Sequence, residues 1–248
     1  MLQKVKMSRS FRLETRNVAT ERSELLASIS EFCFFNAMNI LVIGASKGTG
    51  AICVQNALER GHSVTAFSRS PEKLALNHSR LRLYPGSFHD AANVQAAVPG
   101  HDAVIITASA SSMQAFKENP NYFSNGTAIV IDAMKKHRVP RLVVLSALGV
   151  GESGKLMPWP LRKIVVSWLL KLPFADHERQ ETMVQSSGLD WVIARPGRLT
   201  DGPAKKQYQK KSQIESIPTS ISRADVADFL VEACEPGEWV RKAVQIGG

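Results

Sequence analysis

The residues best placed to do chemistry form a glycine-rich turn, Gly44-Ala45-Ser46-Lys47-Gly48-Thr49-Gly50. It follows an apolar run, Asn39–Ile43, and opens a helical pattern. In such a turn glycine permits the sharp reversal, lets backbone approach a pyrophosphate and allows the helix to pack closely on the strand. The helix N-terminus then offers free N–H groups and a partial positive charge. A glycine triplet alone is a weak signal, but between a strand and a helix it points to a dinucleotide. Gly44, Ser46, Lys47, Gly48, Thr49 and Gly50 are therefore the expected cofactor contacts.

The next informative stretch, Phe67-Ser68-Arg69-Ser70, closes the second apolar run. Binders of NAD usually place Asp or Glu there, accepting from the ribose 2′-hydroxyl. Arg69 instead suits a 2′-phosphate, through charge-assisted bonds of about 1.5–3 kcal/mol each. Lys47 adds a second cation, so NADP(H) is the expected cofactor. A second glycine run, Gly149-Val150-Gly151-Glu152-Ser153-Gly154-Lys155, imitates a P-loop. Leu156 stands where Ser or Thr would ligate magnesium, and Pro158 and Pro160 interrupt any following helix. The six histidines show no metal-ligand spacing, and no metal is expected. Cys33, Cys53 and Cys234, far apart and odd in number, read as reduced, buried or free thiols in a cytoplasmic protein.

The elements that must position these residues alternate along the chain. Strands are expected at Asn39–Ile43, Ser63–Phe67, Leu81–Tyr84, Ala103–Thr107, Leu142–Ser146, Trp191–Ala194 and Ala243–Ile246. Helices are expected at Gly50–Arg60, Pro71–Leu74, Ala91–Ala97, Phe123–His137, Trp159–Ser187 in two pieces, and Ser222–Cys234, with Ser222 and Asp225 as its capping pair. Runs apolar throughout, such as Leu41-Val42-Ile43, should be buried on both faces. The alternation implies an α/β fold: a doubly wound parallel sheet of about seven strands, with helices on both faces. Residues 1–37 do not conform. They carry six basic residues and four glutamates without an apolar core, and Met38 directly precedes the first strand. They read as a leader outside the fold, with residues 38–248 forming one domain.

The chain has 248 residues, 44% of them apolar, enough for a substantial core, and no apolar run long enough to span a membrane. Lys and Arg exceed Asp and Glu by 31 to 22, but the excess is scattered and lacks any nucleic-acid-reading pattern. Its densest run, Lys205–Lys211, reads as a solvated loop.

With these residues placed, Met38–Gly248 resembles the short-chain dehydrogenase/reductase superfamily, in its atypical NAD(P)H-binding branch. That branch includes biliverdin-IXβ/flavin reductases and NmrA-like proteins. The resemblance is carried by the glycine turn, Ser68-Arg69, Asp102–Ile105, Val143–Ser146, Asp176–Arg179, Ser187–Asp190, Arg195-Pro196-Gly197 and Ile221–Ala227. It implies a Rossmann-type fold and several further roles. Thr107, Ala108 and Ser109 would line the cofactor. Ser146 would occupy the catalytic serine position, and Arg195, Pro196 and Gly197 the loop beside the nicotinamide. Substrate walls are expected from Ser109–Phe116, Gly149–Leu172 and Arg198–Lys211. Met157, Trp159, Leu161, Trp168 and Phe174 would be either the apolar lining or helix packing; Lys155, Arg162, Lys163, Arg198 and Lys205 would favour an acidic small-molecule acceptor.

The departure from the family is a missing proton donor. Typical members use a Tyr-x-x-x-Lys pair; here the only tyrosines are Tyr84, Tyr122 and Tyr208, followed four residues on by Phe88, Gly126 and Ser212. Ketone reduction needs a positioned acid, typically worth a factor of about 10²–10⁴. A flavin-, tetrapyrrole- or quinone-like acceptor can take its proton from solvent, so an NADPH-dependent reductase of such acceptors is the expected function. An NmrA-like NADP(H) sensor that binds a partner without turnover is the alternative. The pattern implies a monomer or weak oligomer.

Overall fold

The computed structural model describes residues 37–110, 113–156 and 171–248. Strand β1 (Asn39–Ile43) leads into helix α1 (Gly48–Glu59) and strand β2 (Ser63–Ser68). After a 3₁₀ turn at Pro71–Leu74 come β3 (Leu81–Pro85), α2 (Ala91–Ala97) and β4 (Ala103–Ile106). Helices α3 (Met113–Glu118) and α4 (Tyr122–His137) precede β5 (Arg141–Leu145). A 3₁₀ turn at Gly151–Leu156 follows, then α5 (Lys171–Gln185), β6 (Asp190–Pro196) and β7 (Arg198–Thr200). The chain closes with β8 (Gln209–Lys211), β9 (Ser220–Ser222), α6 (Arg223–Glu232) and β10 (Lys242–Gly247).

Eight strands form one sheet in the order β3-β2-β1-β4-β5-β6-β10-β8, parallel except for β8, while β7 and β9 pair separately. The order runs outward in both directions from β1 and β4, so the sheet is doubly wound and its crevice opens between those two strands. All seven expected strands are present in the sheet; its eighth, β8, and the separate pair β7 and β9 have three residues each, too short to show alternation. One of them corrects the reading of Lys205–Lys211 as a solvated loop. Gln209–Lys211 is the antiparallel edge strand, with Lys210 bound to Glu232 at 2.7 Å and Lys211 to Glu215 at 3.0 Å. Helix α3 was not expected, and of the long helical stretch from Trp159 the described part is α5. Residues 1–36 lie outside the described residues, as do Met157, Trp159, Leu161, Arg162, Lys163 and Trp168.

Two apolar clusters hold the sheet between helices. Alternate residues of β1 point to opposite faces. Ile40 and Val42 pack with Cys53, Val54 and Ala57 of α1 and with Phe229 and Leu230 of α6. Leu41 and Ile43 pack with Val94 of α2 and Val130, Ile131 and Met134 of α4. All four strand residues are at most 2% exposed, which is why β1 carries no polar alternation. The same period places Ala103 and Ile105 of β4 on one face and Val104 and Ile106 on the other.

Candidate functional site

A cleft of about 830 Å³ lies over the carboxyl ends of β1, β2, β3 and β4. Of the residues expected from sequence to hold a cofactor, Gly44, Ser46, Lys47, Gly48, Thr49, Arg69, Thr107, Ala108 and Ser109 line it. The glycine turn is built for close approach. Gly44 has φ +91°, and a Cβ there would stand 2.7 Å from the Ala108 nitrogen. Gly48 has φ +58°, and α1 begins without a side-chain cap or an acid in its first turn, leaving its N–H groups open to an anion. Gly50 lies off the cleft. A Cβ there would collide with the Gly44 carbonyl oxygen and stand 2.5 Å from Thr107 Oγ1, so this glycine lets α1 pack against the crevice.

Strands β2 and β3 leave the sheet side by side, with the Gly86 amide donating to the Ser68 carbonyl at 2.9 Å. Their ends bring Ser68, Arg69, Ser87, Phe88 and His89 to the same wall, which Tyr122 of α4 completes. Ser68 Oγ and His89 Nε2 are buried polar atoms without a hydrogen-bond partner among the described residues. A cradle that a Cβ would fill, an open helix N-terminus and two orphaned polar atoms in the same cleft fit a phosphate-bearing dinucleotide. Burial, aided by the Arg69 charge, holds the His89 pKa below its usual value. Burial also raises the Tyr122 phenol, whose hydroxyl donates to the Ser109 carbonyl at 3.4 Å.

Sequence reasoning missed Ser68, Lys73, His89, Tyr122 and Arg223 as members of this wall. Arg223 had a legible signal. A cation at the first position of a helix opposes the dipole and needs a reason. Here Asp201, just past β7, accepts from its guanidinium at 2.6 Å.

Ser146 and Arg195 do not line the cleft; they meet beside it in a buried network. Ser146 follows β5, and its hydroxyl donates to Glu181 Oε1 of α5 at 2.6 Å. Arg195 of β6 donates to the same carboxylate from Nε at 3.1 Å and from its terminal nitrogen at 2.5 Å. All three residues are at most 6% exposed. Pro196 accepts from the Leu148 amide, and Gly197 packs against the Thr219 carbonyl, so this loop joins β6 to β9. The imitation P-loop folds on itself: the Gly149 amide donates to Ser153 Oγ, which donates to the Val150 carbonyl.

Helix α5 is also tied to α4. Asp176, fully buried, accepts from the amides of Phe123 and Ser124 at 2.6 and 3.3 Å and from the Ser124 hydroxyl at 2.5 Å. It thereby caps α4, whose own N-cap residue, Asn121, makes no side-chain bond. Gln180 continues the seam, donating to Thr127 Oγ1 at 2.8 Å and pairing with His177 Nδ1.

A family model described as NAD(P)H-binding matches residues 44–236. An uncharacterized chloroplastic protein of Arabidopsis thaliana is 27% identical over 213 residues, covering 84% of this chain and 75% of its own. An anaerobilin reductase, ChuY of Escherichia coli O157:H7, superposes with a TM-score of 0.70 at 24% identity, covering 84% of this chain and 96% of that one. A short-chain dehydrogenase/reductase of Veillonella parvula, solved in complex with NADP, superposes with a TM-score of 0.71 at 17% identity, covering 85% and 94%. The doubly wound fold, the glycine turn and the matched span together make this chain a member of the NAD(P)H-binding family.

Proposed function

We propose that this NAD(P)H-dependent oxidoreductase prefers NADPH and reduces a conjugated acceptor of flavin-, tetrapyrrole- or quinone-like type. The observation that carries the reading is the environment of Ser146. Helix α5 brings it a carboxylate, Glu181, already gripped by Arg195, in place of a phenol and an ammonium group. A carboxylate held by a guanidinium accepts hydrogen bonds, and Ser146 spends its proton on it. Tyr122 is the tyrosine on the cleft, but its hydroxyl is turned to a backbone carbonyl and burial makes it a weaker acid. Among the described residues a simple ketone would find no prepared proton source, whereas a delocalised acceptor takes its proton from water.

NADPH, when bound, supplies the hydride, and with one solvent proton the acceptor gains two electrons and two hydrogens. The chain's part is to bind and orient. The Gly44–Thr49 turn and the start of α1 would hold the pyrophosphate, and Arg69 and Lys47 the 2′-phosphate. Glu181 and Arg195 fix the Ser146 hydroxyl so that its lone pairs are left to accept from a bound group. The fold likeness to an anaerobilin reductase is in keeping with a conjugated acceptor.

The test is NADPH oxidation by the purified full chain with FMN, riboflavin, biliverdin, quinones and simple ketones, followed by NADPH absorbance. Turnover with a conjugated acceptor and none with ketones is expected. Tight NADPH binding without turnover on any acceptor would overturn the reading.

A further inference from the structure

We infer that His89 is a second ligand for the 2′-phosphate of NADP(H), standing beside Arg69. The inference rests on the NADPH reading above and assigns to that site a residue outside the glycine turn. His89 lies on the cleft wall just past β3, and Arg69 just past β2. The two strands pair in register up to Ser68 and Pro85, so their ends emerge together. Among the described residues the buried Nε2 of His89 has no partner, an arrangement that costs free energy unless a ligand completes it. The ring is fixed rather than loose, with its centroid 4.2 Å from that of Phe88 and 4.5 Å from that of Tyr122.

The charges around the ring decide how it behaves. Arg69, from the loop after β2, opposes protonation; Asp176 of α5 favours it, with its carboxylate tied to the start of α4. Tyr122 of α4 faces the ring as a neutral phenol, and the neighbouring Asp90 spends its carboxylate capping α2. Without a ligand the imidazole is therefore neutral, and Nε2 remains an unsatisfied atom. A 2′-phosphate, carrying a charge of about −1.5 to −2 at neutral pH, reverses the local field and draws a proton onto the ring. Binding of the phosphorylated cofactor then takes up a proton. Its affinity falls as pH rises through the bound-state pKa of His89. A cofactor without the 2′-phosphate shows no such dependence.

Calorimetry of the full chain tests this, using 2′,5′-ADP and 5′-ADP between pH 6.5 and 8.5 in two buffers of different ionisation enthalpy. Expected are proton uptake with 2′,5′-ADP alone and an affinity for it that drops about tenfold across the range, the limit for one proton being tenfold per pH unit. His89→Gln keeps a hydrogen-bond donor without a titrating one. It should abolish the uptake and flatten the profile while binding 5′-ADP as the parent does. Depression of the phosphate's own pKa by Arg69 would release protons, the opposite sign, and would persist in His89→Gln. No uptake in the parent, or unchanged uptake in His89→Gln, overturns the inference. Arg69→Ala separates the two levels. If it leaves the preference for 2′,5′-ADP over 5′-ADP intact, the NADPH reading itself fails; if it erases that preference while His89→Gln behaves as the parent, only the role of His89 fails.

Discussion

Arg69 was singled out by its type and place in the sequence and Ser146 by the family resemblance, and the structure sets them in different surroundings. Arg69 is exposed on the cleft wall, free to meet a phosphate. Replacing it with Asp removes one cation and adds a repelling charge. The ratio of NADPH to NADH affinity should fall on the order of 100-fold, about 2.8 kcal/mol at 1.4 kcal/mol per tenfold. Parallel titrations of the two cofactors measure it, and an unchanged ratio would remove Arg69 from the site. Ser146 is buried against Glu181. Ser146→Ala should lower turnover about 5- to 30-fold, the scale of a positioning hydrogen bond of about 1–2 kcal/mol, with NADPH affinity nearly unchanged. Because Glu181 keeps Arg195, the variant should stay folded and melt only slightly lower. A loss beyond a thousandfold in a folded variant would instead make Ser146 and Glu181 a proton route. Full turnover with a lowered melting temperature would leave Ser146 purely structural.

At the scale of elements, α4 and α5 are joined through a polar seam as well as through apolar packing, with Val184 of α5 in one cluster with Val130 and Met134 of α4. Asp176 satisfies the first amides of α4, which its own N-cap leaves open, and Gln180 reaches Thr127 one turn further on. Close packing beside the seam is secured by Gly126, where any Cβ would enter the Phe88 ring. Phe88 in turn precedes His89, so the α4–α5 pair backs the cleft wall. Asp176→Ala leaves two buried amides without an acceptor and should cost about 2–3 kcal/mol in chemical denaturation. Asp176→Asn retains an acceptor oxygen and should cost clearly less. Equal losses for the two would show that charge, rather than acceptance, is what α4 requires.

For the whole molecule, burial holds His89, His101 and His177 below the usual histidine pKa, each mainly through desolvation. Unfolding restores ordinary basicity, near 6.5, so the unfolded chain binds more protons than the folded one below that pH. Stability should be flat between about pH 7 and 8 and fall as pH drops through about 6.5, before the carboxylates titrate. Denaturation midpoints at pH 7.5 and 5.5 measure the fall. His177→Gln should reduce it, because His177 is the ring stacked on Phe123 and sealed by Gln180. The second prediction at this scale concerns the first 37 residues, which we propose stand outside the folded domain. A chain begun at Met38 should melt within a few degrees of the full chain and bind NADPH equally well. A large drop in melting temperature would show that the leader packs on the domain.

The sequence by itself determined the α/β class, the strand–turn–helix glycine motif and the cation after β2, because these depend on short-range periodicity and on φ values that only glycine adopts easily. Gly44 with φ +91° and the fully buried Ile40–Ile43 run are of that kind. The capping of α6 by Ser222, which accepts from the Asp225 amide at 3.0 Å, was legible for the same reason. Only the tertiary structure decided that Gly50 packs α1 against β1 and that Glu181 stands between Ser146 and Arg195. It alone brought Lys73, His89, Tyr122 and Arg223 to one cleft. Each of those facts joins residues from different strands and helices. Hydrogen bonds and buried charges are settled by which side chains meet across the sheet ends, and no spacing along the chain encodes that meeting.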